Sequence, residues 1–210
     1  MSEKTASLAA PTVAVFDPFA GANQAVEKVH AALRAQGANA VITADPAEAV
    51  VADGLVLAAD GDAAEALRAL HAAQAGRVVG QRLAGSRPVL AVGAAMDALF
   101  ERGVDGKSGF GEWPGDVAKL AAPVGRATVH AAEGSRLLSG SHEFVFDAAT
   151  GARNFELAED EFIAYPTLSW TEGVLAAVEN GPLCAVRFHP EASGDAGAAV
   201  FRNWIARLGQ

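Results

Sequence analysis

An α/β domain on a mostly parallel sheet, with a β-rich second half, is the fold class this sequence predicts. Three observations predict it. Short apolar runs alternate with helical spacings through the first half of the chain. Those runs are continuous and not polar-alternating, the pattern of strands covered on both faces, so crossovers of the usual right hand should join them. From Val117 onward, strand patterns separated by turn signals take over.

In order, residues 12–16 form a first strand that ends at Asp17-Pro18, and residues 23–36 place Val26, Val29 and Leu33 at helical spacing before Gly37. Residues 40–43 read as a second strand, after which Asp45-Pro46 opens a short helix with Asp45 as its cap. Residues 54–58 form a third strand, 62–84 a long helical stretch, and 88–92 a fourth strand followed by a helix over 94–102 that Gly103 ends. Residues 105–114 are expected to be a flexible excursion. Strands are then expected at 117–120, 126–130, 143–146, 161–164, 174–178 and 183–188, the last two forming a hairpin about Asn180-Gly181-Pro182. A closing helix over 194–208, capped by Ser193, presents Val200, Trp204 and Leu208 on one face.

Composition narrows the function. The chain has 210 residues, enough for one domain with a substantial core, and we expect a disordered lead-in over 1–10 and a single domain over 11–210. No apolar run approaches the ~18 residues that a membrane span needs, and the first residues lack a secretion-signal pattern. A formal net charge of −9 without a basic stripe argues against a nucleic-acid partner. One cysteine, Cys184, excludes an internal disulfide and suits a reducing, cytoplasmic setting. The histidines lack metal-ligand spacing, so neither a metal nor another cofactor is expected. The segment 17–23 superficially resembles a phosphate-binding turn but lacks the glycine spacing and the lysine. Trp113 and Trp170 fall in loop-like contexts, where they could anchor a partner.

The residues that could carry chemistry lie at two strand ends. His189 and Glu191 flank Pro190, and in extended backbone positions i and i+2 share a face. A carboxylate placed there can accept from one imidazole nitrogen and leave the other free as a base. The alternative is a histidine that caps a sheet edge beside a solvated glutamate. About a hundred residues earlier the strand at 88–92 runs into Gly93-Ala94-Ala95-Met96-Asp97, where a strand-to-helix turn would present a nucleophile to that base. It presents glycine. Cys184 lies an odd number of residues from His189 along one strand, so it should face the opposite side and be buried.

The run 91–97 followed by Phe100-Glu101-Arg102-Gly103, together with 13–17, 43–46, 52–56, 87–90 and Phe188-His189-Pro190-Glu191-x-Ser193-Gly194, resembles class I glutamine amidotransferases. The glutaminase subunits (HisH) of imidazole glycerol phosphate synthase are the most similar group. The resemblance implies a three-layer, flavodoxin-like fold and a Cys-His-Glu triad that hydrolyses glutamine through a thioester. It also implies delivery of ammonia to a (β/α)8-barrel cyclase partner. By the same resemblance His189 and Glu191 match the base and its orienting acid. Gly93 stands at the nucleophile position, Ala95 at a glycine two residues on, and Asp97 at a glutamine that helps hold the substrate. Asp60 and Gly61 fall in the loop that supplies an oxyanion-hole amide.

Several of these positions depart from the pattern together. Gly93 has no nucleophilic atom, Asp97 replaces an amide with an acid, and Asp60 and Asp62 would oppose an oxyanion. Ala192 stands where a lysine follows the His-Pro-Glu run, the Gly-Trp-Asn segment is absent after Pro123, and 144–149 differ from an aromatic strand ending in His-Ser-Tyr. The expectation is a HisH-like protein that has lost glutaminase activity and acts as a scaffold or regulatory subunit. The alternatives are an active glutaminase with another nucleophile, and a stand-alone binding protein whose pocket Asp60, Asp62 and Asp97 make acidic.

Overall fold

The computed structural model describes residues 9–155 and 165–208. The strand expected over 161–164, and most of the lead-in expected over 1–10, lie outside the described residues. In chain order the elements are β1 (Thr12–Phe16), α1 (Gln24–Ala35), β2 (Asn39–Thr43), α2 (Pro46–Val51), β3 (Gly54–Ala59), α3 (Ala63–Ala72), α4 (Ala75–Ala84) and β4 (Val89–Gly93). There follow β5 (Phe100–Arg102), β6 (Trp113–His130), β7 (Ser141–Ala152), β8 (Thr167–Thr171), β9 (Val174–Asn180), β10 (Leu183–Val186) and α5 (Gly194–Ile205).

The main sheet runs β2-β1-β3-β4-β10-β9-β8. Its first five strands are parallel, whereas β9 and β8 are added antiparallel. Side chains alternate across it. Phe16, Leu55, Leu57 and Ala91 pack under α2, α3 and α4, while Val15, Val56, Leu90 and Val92 pack under α1 and α5. This is the three-layer arrangement expected from continuous apolar strands. The Asp45 carboxylate caps α2 by accepting from the Ala47 amide at 2.8 Å. The carbonyls that α2 cannot satisfy at its far end are taken by Arg82, which is fully buried and donates to Ala49, Val50, Ala52, Asp53 and Pro88 at 2.8–3.1 Å.

Several expectations about elements are corrected. The stretch 62–84 is two helices, broken at Gln74, which adopts a left-handed φ of 56°. The helix expected over 94–102 does not form: a single 3₁₀ turn, Asp97–Leu99, leads directly into β5. Amides of Gly109, Phe110, Gly111 and Glu112 donate to the carbonyls of Glu101, Ala98, Phe100 and Leu99 at 2.7–3.3 Å, so the segment pairs with the loop after it. The supposed flexible excursion over 105–114 is therefore fastened in place, and Phe110 also stacks edge-on against His71. Trp113 is not an exposed anchor, because it is 1% exposed in β6 and packs against Phe100. Finally, the two strands expected at 117–120 and 126–130 are one, and the register shift that separates them is centred on Val124.

Candidate active site

Strand order brings the site together. β10 lies beside β4 in the sheet, and both run the same way, so the chain that leaves β10 emerges next to the turn after β4. That places His189 against Gly93. The imidazole Nδ1 lies 2.8 Å from the Glu191 carboxylate, and both side chains are almost wholly buried. A carboxylate accepting from Nδ1 fixes the tautomer and leaves Nε2 as the basic nitrogen. The segment is clamped from both sides. The His189 amide donates to the Val145 carbonyl at 2.7 Å, the Val145 amide donates to Ser193 Oγ at 3.0 Å, and that hydroxyl donates to the His189 carbonyl at 2.7 Å. Ser193 therefore braces the histidine turn against β7 and does not cap α5 with its side chain, as the sequence suggested.

Gly93 ends β4 with a left-handed φ of 66°. Glycine tolerates this region and other residues occupy it at a cost. A Cβ built there would lie 3.2 Å from His189 Nε2 and 2.7 Å from Cε1, so position 93 faces the base directly. The same Cβ would lie 2.3 Å from the Ala59 carbonyl oxygen, closer than any side chain fits. Ala59 pairs with Gly93 across the β3–β4 ladder, and its carbonyl accepts the Ala94 amide at 2.8 Å. The backbone N–H that follows the nucleophile position is thus already bonded within the protein.

Asp97 is 3% exposed and turns inward. Its carboxylate faces the Arg187 guanidinium at 3.1 Å and accepts from the Thr150 hydroxyl at 2.7 Å, while Arg187 also donates to that hydroxyl at 3.1 Å. Arg187 is 1% exposed, so this is a closed ionic cluster in the interior. Its Nε and the facing carboxylate oxygen are close but misaligned for a hydrogen bond, so charge attraction dominates that contact. Burial holds the Asp97 carboxyl above the usual carboxylate range, against the opposing pull of Arg187 and Thr150.

Not every expected site residue joins the cluster. Ala95 is buried in the turn. Asp60 and Gly61 line a small surface cavity with Phe19, Asn23, Asp62 and Glu65, and Asp97 is not part of its lining, so the three aspartates do not share an acidic pocket. Asp62 caps α3 through the Glu65 amide, and the Asn23 side chain ties the Asp60 backbone to the start of α1. The 17–23 turn is braced internally, because the Asp17 carboxylate accepts from the amides of Phe19 and Gly21, both at 2.8 Å. Cys184 is buried among the side chains under α1 and α5, where burial pushes its thiol up to about 11. Sequence reasoning missed Arg187 and Thr150. The signal for Arg187 was a cation in an otherwise apolar strand end, whereas nothing marked Thr150.

Comparison with known proteins gives the fold class and the family. A solved glutamine amidotransferase superposes with a TM-score of 0.69 at 17% identity over 92% of this chain and 98% of its own. A putative GMP synthase protein from Thermoplasma acidophilum gives 0.68 at 19% identity, covering 94% and 93%. These likenesses define the fold as that of the class I glutamine amidotransferases. No protein-family model matches the chain. Imidazole glycerol phosphate synthase subunit HisH of Nocardia farcinica is 44% identical over 94% of this chain and 98% of its own length, and that of Thermobifida fusca is 42% identical over 94% and 99%. The chain belongs to the HisH family.

Proposed function

We propose that this chain is a HisH-type subunit of an imidazole glycerol phosphate synthase, in histidine biosynthesis, that has lost glutaminase activity. Its remaining role is to bind: it serves as scaffold or allosteric partner for a (β/α)8-barrel cyclase that draws on free ammonia. The names of its relatives support the pathway and the existence of a partner. One observation carries the loss of catalysis, the bare α-carbon of Gly93 opposite the imidazole of His189. Attack on an amide carbonyl needs a thiol or hydroxyl within reach of that base, and glycine offers neither. Removing a nucleophile from such a unit costs on the order of a millionfold in turnover. Cys184 is no substitute, since it lies under the other face of the sheet with its thiol protonated. His189 and Glu191 are then the retained half of the machinery, a base without a partner.

Mixing the purified chain with a cyclase barrel subunit tests both halves. We expect the two to co-elute, and we expect cyclase turnover with ammonium salts but not with glutamine. Separate elution would remove the partner role, and glutamine-driven turnover would remove the loss of catalysis.

A further inference from the structure

The outward face of α2 is apolar where a short surface helix is ordinarily polar. Only Ala49 of its six residues is buried, and it presents Pro46, Ala47 and Val51 to solvent. Val51 is 70% exposed, and with Val41 of the edge strand β2, 44% exposed, it borders a hollow between α2 and β2. On the other side of Val51 lies a second hollow, of about 360 Å³, walled by Pro46, Ala47 and Val50 of α2 and by Val78 of α4. Among the described residues only one further large apolar side chain, Tyr165, is exposed. An apolar knob between two hollows is the form of a contact surface.

The charges around that face select what covers it. α2 begins at Asp45, with Glu48 in its first turn, and ends under Arg87, whose guanidinium donates to the carbonyls of Val50 and Val51 at 3.0 and 3.2 Å. All three charged residues are exposed, so the helix displays an anionic start and a cationic finish. A uniformly acidic partner would oppose Asp45 and Glu48, and a uniformly basic one would oppose Arg87 and its exposed neighbour Arg77. The α2 helix of a second copy, laid antiparallel, meets each end with the opposite sign. In that register Val51 of one copy falls against Pro46 and Ala47 of the other and enters the hollow that they wall. Addition of a strand to β2 fits less well. The Asn39 amide and the Thr43 carbonyl bond towards β1, which turns Ala40 outward, and the Ala40 carbonyl already accepts from His30 Nε2 at 3.1 Å.

We infer that the chain self-associates through α2, as a symmetric dimer in which the two copies of the helix pack antiparallel around Val51. The inference is independent of the loss of catalysis and of the cyclase partner. The edge strand β2 and β10, which leads to His189, are separated in the sheet by β1, β3 and β4. At strand spacings of 4.7–4.9 Å that is roughly 19 Å. A dimer of this form leaves the His189 side of the molecule free.

Analytical ultracentrifugation of the full chain at about 1–200 µM tests this, with a species of twice the chain's mass expected to grow with concentration. Val51→Lys and Ala47→Glu lie at exposed positions and leave the fold intact. Each sets a charge into the apolar contact and should weaken association roughly tenfold or more. The two substitutions in one chain should restore it, because antiparallel packing sets the new cation of one copy against the new anion of the other. A parent that stays monomeric throughout, a dimer that neither substitution weakens, or a double variant that remains monomeric would each overturn the inference. So would a monomeric parent whose binding to a cyclase barrel is lost in Val51→Lys, a result that would give this face to the barrel.

Discussion

The two sides of the site have been treated differently. On the β10 side the histidine turn is intact: His189 is oriented by Glu191, and Ser193 and Val145 brace the backbone from both directions. On the β4 side there is no nucleophile, the following amide is spent on Ala59, and Asp97 is bound to Arg187. On the proposed reading, the two halves of the site rest on different structural supports. The His-Pro-Glu turn also pins α5 and β7 to the sheet, so its geometry serves the fold whether or not chemistry follows. A nucleophile in a left-handed turn serves only the chemistry, and glycine there relieves backbone strain of roughly 1–3 kcal/mol.

The largest effect that would sharpen this contrast lies in the buried cluster. Arg187→Met leaves Asp97 buried without its counter-charge and should destabilise the protein by about 3 kcal/mol or more, whereas Asp97→Leu combined with Arg187→Met should recover most of that loss. Urea denaturation of the single and double variants measures the difference, and a double variant worse than Arg187→Met alone would show that the cluster is not a closed pair.

Next in size is Gly93 itself. Gly93→Val adds a branched side chain in left-handed backbone against the Ala59 carbonyl, and we expect it to cost about 2–4 kcal/mol. A thermal melt within a degree or so of the parent would show that the Ala59 carbonyl and the His189 imidazole give way without cost. Gly93→Cys should also be destabilised, and it should release no ammonia from glutamine, because the Ala94 amide and Asp97 remain engaged. Measurable ammonia from that single variant would show that only one atom separates this chain from activity.

Smaller effects follow from titration. Because the folded-state value of Asp97 is raised, its contribution to stability is complete below the unfolded value of about 3.9 and is lost as pH rises through the folded value. Asp97→Asn should therefore gain on the parent across that rise, as read by urea unfolding at stepped pH, and a gap that widens in the parent's favour would contradict the assignment. Cys184 supplies the smallest test. With its thiol near 11, iodoacetamide at about pH 8 should leave the native protein unlabelled and label it only after unfolding.

The parallel half of the fold was legible because each strand is a continuous apolar run and three of its helices carry a start signal, at Asn23, Asp45 and Asp62. The β10 side of the site was legible for a similar reason: His189 and Glu191 are two residues apart, so local geometry alone pairs them. What the sequence could not show depends on contacts between distant segments. The helix expected over 94–102 is locally plausible, yet residues 98–101 pair instead with the amides of residues 109–112. Asp97 read as a pocket acid because its partners, Arg187 and Thr150, lie 90 and 53 positions away and meet it only through β10 and β7. The break at Gln74 has no marker in the sequence.

The comparison between the two sides comes down to whether a well-oriented base can act with nothing to activate. Glutamate formation from labelled L-glutamine, by this chain assembled with a cyclase barrel, asks that directly. We predict none above the enzyme-free background, and no further decrease on His189→Ala. Glutamate that accumulates with time and disappears in His189→Ala would show that the base still has a nucleophile to serve.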